Sequence, residues 1–416
     1  MKKINLSSEK IGWFFYSFAD SSYITVIVTV LFSLYFKEII VGQAELGTAL
    51  WGRAISISML IVAFLAPIMG AVADYSHSRK LLLIICTYIT IIFTALLFFL
   101  TPGQIGWAML LLIIANSSFN MSNVFNNSFI TEIAEQDEIG RISGLAWGIG
   151  YLGGLSALLI ILPIINTNSH NYLNYRFSFL VVAIFFLIFS LPAFILLKGK
   201  RQQKREAKSY LMIAISRLID TGRQIKKYHE LLKFLGSYFL YNDGITVVIS
   251  FAAIYGSSRF GMSAQEMIIY FIFAQPSSFL GAFVFGYFYD RFGAKCSINI
   301  SLIIWIFVIF GAYLCPNKNL YYLVGICAGF VMGATQSNSR TLFAMLSPRN
   351  KATEFFGFFS VTGRLASIIG PIIYGEVARI TNNQKNSILS VLVFFIFGII
   401  FFQFVNIKKG IKSVNQ

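Results

Sequence analysis

The chain has 416 residues, of which 57% are hydrophobic and 12% charged, with a mean hydropathy of +0.73. A soluble globular protein carries roughly 25% charged residues; half that share, with 43 phenylalanines, leaves too little polar surface to coat a soluble globule. The net charge of +16 would suggest nucleic acid in a soluble protein, but the basic residues fall in alternate loops, the positive-inside pattern of a polytopic membrane protein, and no nucleic-acid partner is expected.

Lys2, Lys3 and Lys10 ahead of an apolar run resemble the start of a signal peptide, yet the run continues to Phe36, too long for a signal core, and is read as the first helix. Crossing ~30 Å of hydrocarbon takes about 20 apolar residues. Twelve spans are predicted: 11–36, 47–72, 80–100, 105–129, 142–166, 176–197, 231–256, 263–288, 296–315, 320–345, 355–381 and 385–407. The one long hydrophilic stretch, 198–230, separates an N-terminal six-helix half (1–197) from a C-terminal half (231–416). The expected class is therefore an all-α membrane protein.

That central stretch opens with basic residues, Lys198 to Lys208, and continues with Leu211, Ile215, Leu218, Ile219, Ile225 and Leu231 at helical spacing. It reads as a cytoplasmic amphipathic helix on the inner leaflet, held to anionic lipid, or else as a partner-binding segment. With the N-terminus inside, 24 Lys and Arg fall on the inner side and 6 on the outer, which puts both termini and the central loop in the cytoplasm. The four cysteines, Cys86, Cys296, Cys315 and Cys327, form no CxxC pair, so neither disulfide nor metal site is inferred.

The two halves look like copies. Residues 126–144 and 339–357 align without a gap at an offset of 213, bringing Gly144 onto Gly357. Asp20 precedes Ile24-Thr25-Val26 on the first helix, as Asp243 precedes Ile245-Thr246-Val247 on the seventh. Repeated halves with a site at their interface are how secondary transporters are built.

The segment GYFYDRFGAK (286–295) matches the loop pattern G-x-x-x-D-R-x-G-x-K of the major facilitator superfamily. Glycine allows close helix packing, and the Asp and basic residues can form a charge latch on the cytoplasmic rim. The first copy, GAVADYSHSRK (70–80), keeps Gly70, Asp74, Arg79 and Lys80 but departs at Tyr75 and His77. Gating is assigned on this basis to Gly70, Asp74, Arg79, Gly286, Asp290, Arg291 and Arg340, with Arg340 as the expected partner of Asp290. Three further stretches, 13–28, 126–159 and 333–371, resemble the vacuole effluxer family, the yeast autophagy-related amino-acid exporters and their bacterial relatives. The resemblance spans essentially the whole membrane domain. It implies the major facilitator fold, with helices 1, 4, 7 and 10 lining a central cavity, export of neutral amino acids, and placement of a bacterial member in the inner membrane.

Asn116, Asn120, Asn123 and Asn127 are spaced 4, 3 and 4 and share one face of the fourth helix; Gln336 and Arg340 mirror Asn123 and Asn127 on the tenth. Amides in hydrocarbon are expensive unless they face a cavity or another helix, so this face either lines the cavity or packs between helices. Asp20, Asp243 and Arg364 are the deepest ionisable groups, about 13–18 Å in from the helix starts at 1.5 Å per residue. They either handle substrate or protons or form a fixed salt bridge. Tyr23 is assigned to the same site. The expected arrangement is Asp20, Asp243 and Arg364 around the substrate, with Asn116, Asn120 and Asn123 opposite.

Membrane enzymes want clustered His, Cys or carboxylates. The three histidines, His77, His170 and His229, lie outside the spans, and there is no Walker loop, so neither an enzyme nor an ATP-driven pump is indicated. The reading is a secondary transporter working by alternating access, exporting amino acids or similar metabolites. A proton-coupled drug or metabolite exporter is the alternative. No cofactor is expected; coupling to a proton or a sodium gradient is open, and a monomer is expected.

Overall fold

A computed structural model of the chain describes residues 7–76, 78–133, 139–165, 172–198, 228–348 and 352–414. It is a bundle of twelve long helices: α1 Ser8–Val41, α2 Ala44–Ser76, α3 Arg79–Leu96, α4 Ile105–Ser128, α5 Ile139–Ile161, α6 Leu173–Leu196, α7 His229–Phe260, α8 Ala264–Phe292, α9 Ala294–Leu314, α10 Lys318–Leu346, α11 Ala352–Thr381 and α12 Gln384–Gln403, followed by a short α13, Ile407–Val414. Among the described residues ten of these are long and apolar enough to cross a membrane; α5 adds a shorter apolar stretch, Leu145–Ile161, and α11 completes the twelve. The predicted amphipathic segment of the central loop lies outside the described residues.

Helix ends differ from the predicted spans where polar residues begin or end an element. α1 runs on past Lys37 to Val41, because Lys37 is buried and satisfied by the Glu38 carboxylate at 3.1 Å and by Ser257 and Ser258 at 3.1 and 2.9 Å. Gly42 and Gly261 then stop α1 and α7 in the left-handed conformation, φ 70° and 63°, which an L side chain resists. α5 ends at Ile161 rather than 166, and α12 at Gln403 rather than 407, where the chain turns into α13. A capping box, Ser263 with Glu266, starts α8. α1 contains two π-helical stretches, Tyr23–Val30 and Phe36–Val41, the first with the Thr29 hydroxyl donating to the Ile24 carbonyl five residues earlier at 2.9 Å.

Each half closes on itself: α1 packs on α5 and α6, and α3 on α4 and α6; in the second half α7 packs on α11 and α12, and α9 on α10 and α12. The helix 5 glycines are packing surface, Gly150 and Gly153 lying directly against the Ser17 and Phe18 backbone. Between the halves α2 meets α11 and α5 meets α8, a pair of contacts related by the repeat.

The polar seam between the halves gathers at the distal end, the end away from both chain termini. Besides the Lys37 bonds, the Trp51 indole N–H donates to the Ser250 carbonyl (3.1 Å), the Gln384 amide to the Thr48 hydroxyl (2.7 Å), and the Ser56 hydroxyl to the Ile368 carbonyl (2.7 Å). Arg53 pairs with Glu376, which also holds Arg379 at 2.7 Å. Arg53 is thus a cross-half tie.

Candidate substrate site between the halves

α11 carries Arg364 to the middle of the bundle, where its Nη1 donates across the interface to Asn120 Oδ1 on α4 at 2.9 Å. The asparagine face predicted on the fourth helix accounts for the partner. Asn120 Nδ2 is held by the Asn116 backbone carbonyl (2.8 Å) and Oδ1 (3.3 Å), which turns the Asn120 oxygen toward α11. The amide is an acceptor that leaves the arginine's charge uncancelled. Among the described residues no carboxylate pairs with Arg364, and its Nε is buried without a hydrogen-bond partner.

Two more buried polar groups near this point have no partner. Asn116 is wholly buried and its Nδ2 donates to nothing among the described residues; the Tyr23 hydroxyl is likewise unpartnered. The Tyr23 ring lies 4.6 Å from that of Phe119, between Asn116 and Asn120 in the α4 sequence. Buried polar atoms are nearly always satisfied in folded proteins. Three unsatisfied donors (Arg364 Nε, Asn116 Nδ2 and the Tyr23 hydroxyl) beside one uncancelled cation make a seat for an acceptor-rich, anionic group.

The remaining predicted residues are distributed around this centre. Asn123 is half-buried and spends its amide on the Phe119 carbonyl at 3.3 Å. Asp20 is half-buried, touched by the Ser21 hydroxyl at 3.5 Å, and forms no ion pair among the described residues. Asp243 is not with Arg364: it is fully buried, and both its oxygens accept from the Gly370 N–H at 2.9 Å. Gln336 is half-buried on α10. Arg340 reaches across to α5, its guanidinium 5.3 Å from the Trp147 ring centre.

Of the gating residues, the Asp74 and Asp290 side chains, and with them the Asp290–Arg340 pair, lie outside the described residues. Gly70 and Gly286 have open space where a Cβ would stand. Arg79 is half-buried, and Arg291 lies over the Phe292 ring at 5.5 Å. Tyr238, not singled out in the sequence, stands near both Arg340 and Arg364 and stacks on Phe359 at 4.3 Å. Its position one turn before Asn242 on α7 was the available signal. At the distal end the seam borders a cleft of about 500 Å³ lined by Lys37, Glu38, Glu45, Arg259 and Gln384.

Sequence and structure comparisons bear on this geometry. The family described as vacuole effluxer Atg22 like matches residues 48–140 and 131–415. The MFS-type transporter YxiO of Bacillus subtilis is 28% identical over 408 residues, covering 95% of this chain and 94% of its own. Autophagy-related protein 22 of Yarrowia lipolytica is 22% identical, covering 86% of this chain and 75% of its own. Among solved structures, a D-xylose-proton symporter superposes with a TM-score of 0.73 at 15% identity, over 97% of this chain and 98% of its own. A bacterial homologue of the human lysosomal transporter Spinster, inward-facing and unoccupied, gives 0.69 at 17% identity over 98% and 97%. These likenesses establish the fold as that of the major facilitators.

Proposed function

The chain belongs to the Atg22-like vacuole effluxer family of major facilitator transporters, and on that premise we propose that it exports neutral amino acids by alternating access. Arg364 receives the substrate carboxylate, Asn116, Asn120 and Tyr23 orient it, and Asp20 faces the ammonium. The observation that carries this reading is the Arg364 guanidinium, bonded to an amide instead of a carboxylate and left with a buried, unpartnered Nε. An uncompensated charge in the membrane interior costs at least ~2.5–3.5 kcal/mol on insertion scales, so a bound anion is the natural complement. The family description, vacuole effluxer Atg22 like, favours efflux as the direction.

The experiment is counterflow in proteoliposomes with a labelled amino-acid panel. Neutral amino acids are expected to exchange, and acidic and basic ones to compete weakly. Exchange of a sugar or nucleoside with none of the amino acids would reject the reading.

The rim residues Gly70, Asp74, Arg79, Gly286, Asp290, Arg291 and Arg340 are assigned to gating at the proximal end. The chain is taken to work as a monomer in a bacterial inner membrane, with both termini cytoplasmic and the basic 198–230 stretch on anionic lipid. Orientation can be checked by cysteine labelling of intact cells in a background with Cys86, Cys296, Cys315 and Cys327 replaced by serine. A membrane-impermeant maleimide should reach Thr101→Cys in the exposed α3–α4 turn and miss Ser413→Cys on α13. The opposite pattern inverts the topology.

A further inference from the structure

Asp20 and Asp243 lie on corresponding helices of the two halves but have different partners. The Asp20 contact is Ser21 of its own helix. Asp243 reaches out of α7 to the backbone of α11, both carboxylate oxygens 2.9 Å from one amide, Gly370 N–H. Gly370 is required there: a Cβ would stand 2.5 Å from Val247 Cγ2 and 2.6 Å from Asp243 Oδ1. The next residue, Pro371, has no N–H, so the Ser367 carbonyl loses its helical donor and α11 is weakened at the point that Asp243 grips. In the first half Leu158 stands at the equivalent of Pro371, so the device belongs to one repeat only.

The weakened segment lies between two seams. Toward α7 it is flanked by Thr246–Ser367 (2.9 Å) and by Asn242 donating to the Gly363 carbonyl (3.2 Å). Toward the other half, Ser56 on α2 donates to the Ile368 carbonyl, and Gly52 lies so close to Pro371 that a Cβ would be 2.2 Å from its carbonyl oxygen. Whatever holds residues 367–371 also sets how α11 meets α2 at the distal seam.

We propose that Asp243 is the proton-binding coupling residue of this transporter, a clip that holds α11 closed as a carboxylate and releases it on taking up a proton. The carboxylate complements the Gly370 N–H with charge. One bound proton removes that charge and leaves the Gly370 N–H a single neutral carbonyl oxygen in place of a charge-assisted contact with two, which loosens the grip. The charged or titratable groups on the helices packed around α7 include Arg364, Tyr374, Glu376 and Arg379 on α11, Arg340 and Tyr321 on α10, and Asp20, Tyr23, Tyr35, Lys37 and Glu38 on α1, the last accepting from Ser257 of α7 itself. α12 presents Phe394 and Phe395 to Gly244 and carries Lys385 at its far end, while Glu266 on α8 and the lysines of α13 lie at the two ends of α7. None forms an ion pair with Asp243 among the described residues. This site is separate from the substrate seat, and the inference rests on the transport reading only for what the proton drives.

The test reads closure without substrate. A single cysteine at Thr48, buried in the distal seam against Gln384, is titrated with a methanethiosulfonate on purified protein between about pH 10 and pH 6, with rates corrected for the reagent's own pH dependence. With Asp243 intact, labelling is expected to rise about tenfold toward low pH, the effect of ~1.4 kcal/mol of population shift. Asp243→Asn, permanently neutral, should label fast at every pH. Gly370→Ala, which displaces the carboxylate without altering its charge, should do the same, so the clip is tested even where one variant folds poorly. A flat wild-type profile, or an unchanged pH response in folded Asp243→Asn, overturns the proposal. A normal pH response in a chain that exchanges no amino acid would instead reject the substrate reading and keep the clip.

Discussion

Arg364→Lys is expected to raise the half-saturating substrate concentration about 10–100-fold while the protein remains folded. Lysine keeps the positive charge, so the seat still attracts an anion. It lacks the planar fork that can hold Asn120 Oδ1 through one nitrogen and offer Nε to a ligand. A hydrogen bond to a charged group is worth about 1.5–3 kcal/mol, and one such bond lost to substrate gives this range. Arg364→Gln removes the charge as well and should abolish binding. Equilibrium binding of a labelled substrate to detergent-purified protein measures both variants, and thermal unfolding checks that each is folded. Wild-type affinity in folded Arg364→Lys would move the substrate seat away from α11.

Gly52→Leu is the second change with a large expected effect. The Gly52 site faces the Pro371 carbonyl at 2.2 Å from a hypothetical Cβ and the Phe251 ring at 3.3 Å. No rotamer of a larger side chain relieves the first contact, because it is made by Cβ itself against backbone. The only relief is for α2 and α11 to separate, which opens the distal seam. Labelling of Thr48→Cys should therefore become fast and insensitive to pH, and net transport should fall by at least about 100-fold, the loss that follows when ~2.7 kcal/mol of bias disfavours one of two alternating states. Transport at the wild-type rate in Gly52→Leu would show that α2 and α11 need not close against each other.

Much of the architecture was readable from residues. Hydropathy located twelve helices because each must be apolar over a bilayer's thickness, whatever its neighbours. The 4-3-4 spacing of Asn116, Asn120, Asn123 and Asn127 marked a face, and Asn120 on that face does reach across the halves. Partners were less legible. Glu376, the partner of Arg53, is 323 residues away and sits in no repeat motif. Asp243 binds a backbone amide, and a contact to main chain leaves no side-chain pattern to find; Gly370-Pro371 was its only trace. Lys37 looked like the end of a span because a charge ordinarily leaves the hydrocarbon, whereas here Glu38 pairs with it and two serines of α7 accept its remaining bonds.

The wide turns of α1 change how that helix should be counted. A π turn holds an added residue, and each addition rotates everything beyond it by about 100° relative to an ideal α-helix. A helical wheel drawn from Ser8 therefore assigns the wrong faces after Tyr23, and Asp20 and Lys37 cannot be placed on one wheel. The early part of α1 faces α5 and α6 of its own half, while its later part has turned to meet α7. Removing one residue between Ile24 and Thr29 would rewind that phase, swinging Lys37 off Ser257 and Ser258 without altering any of those three side chains.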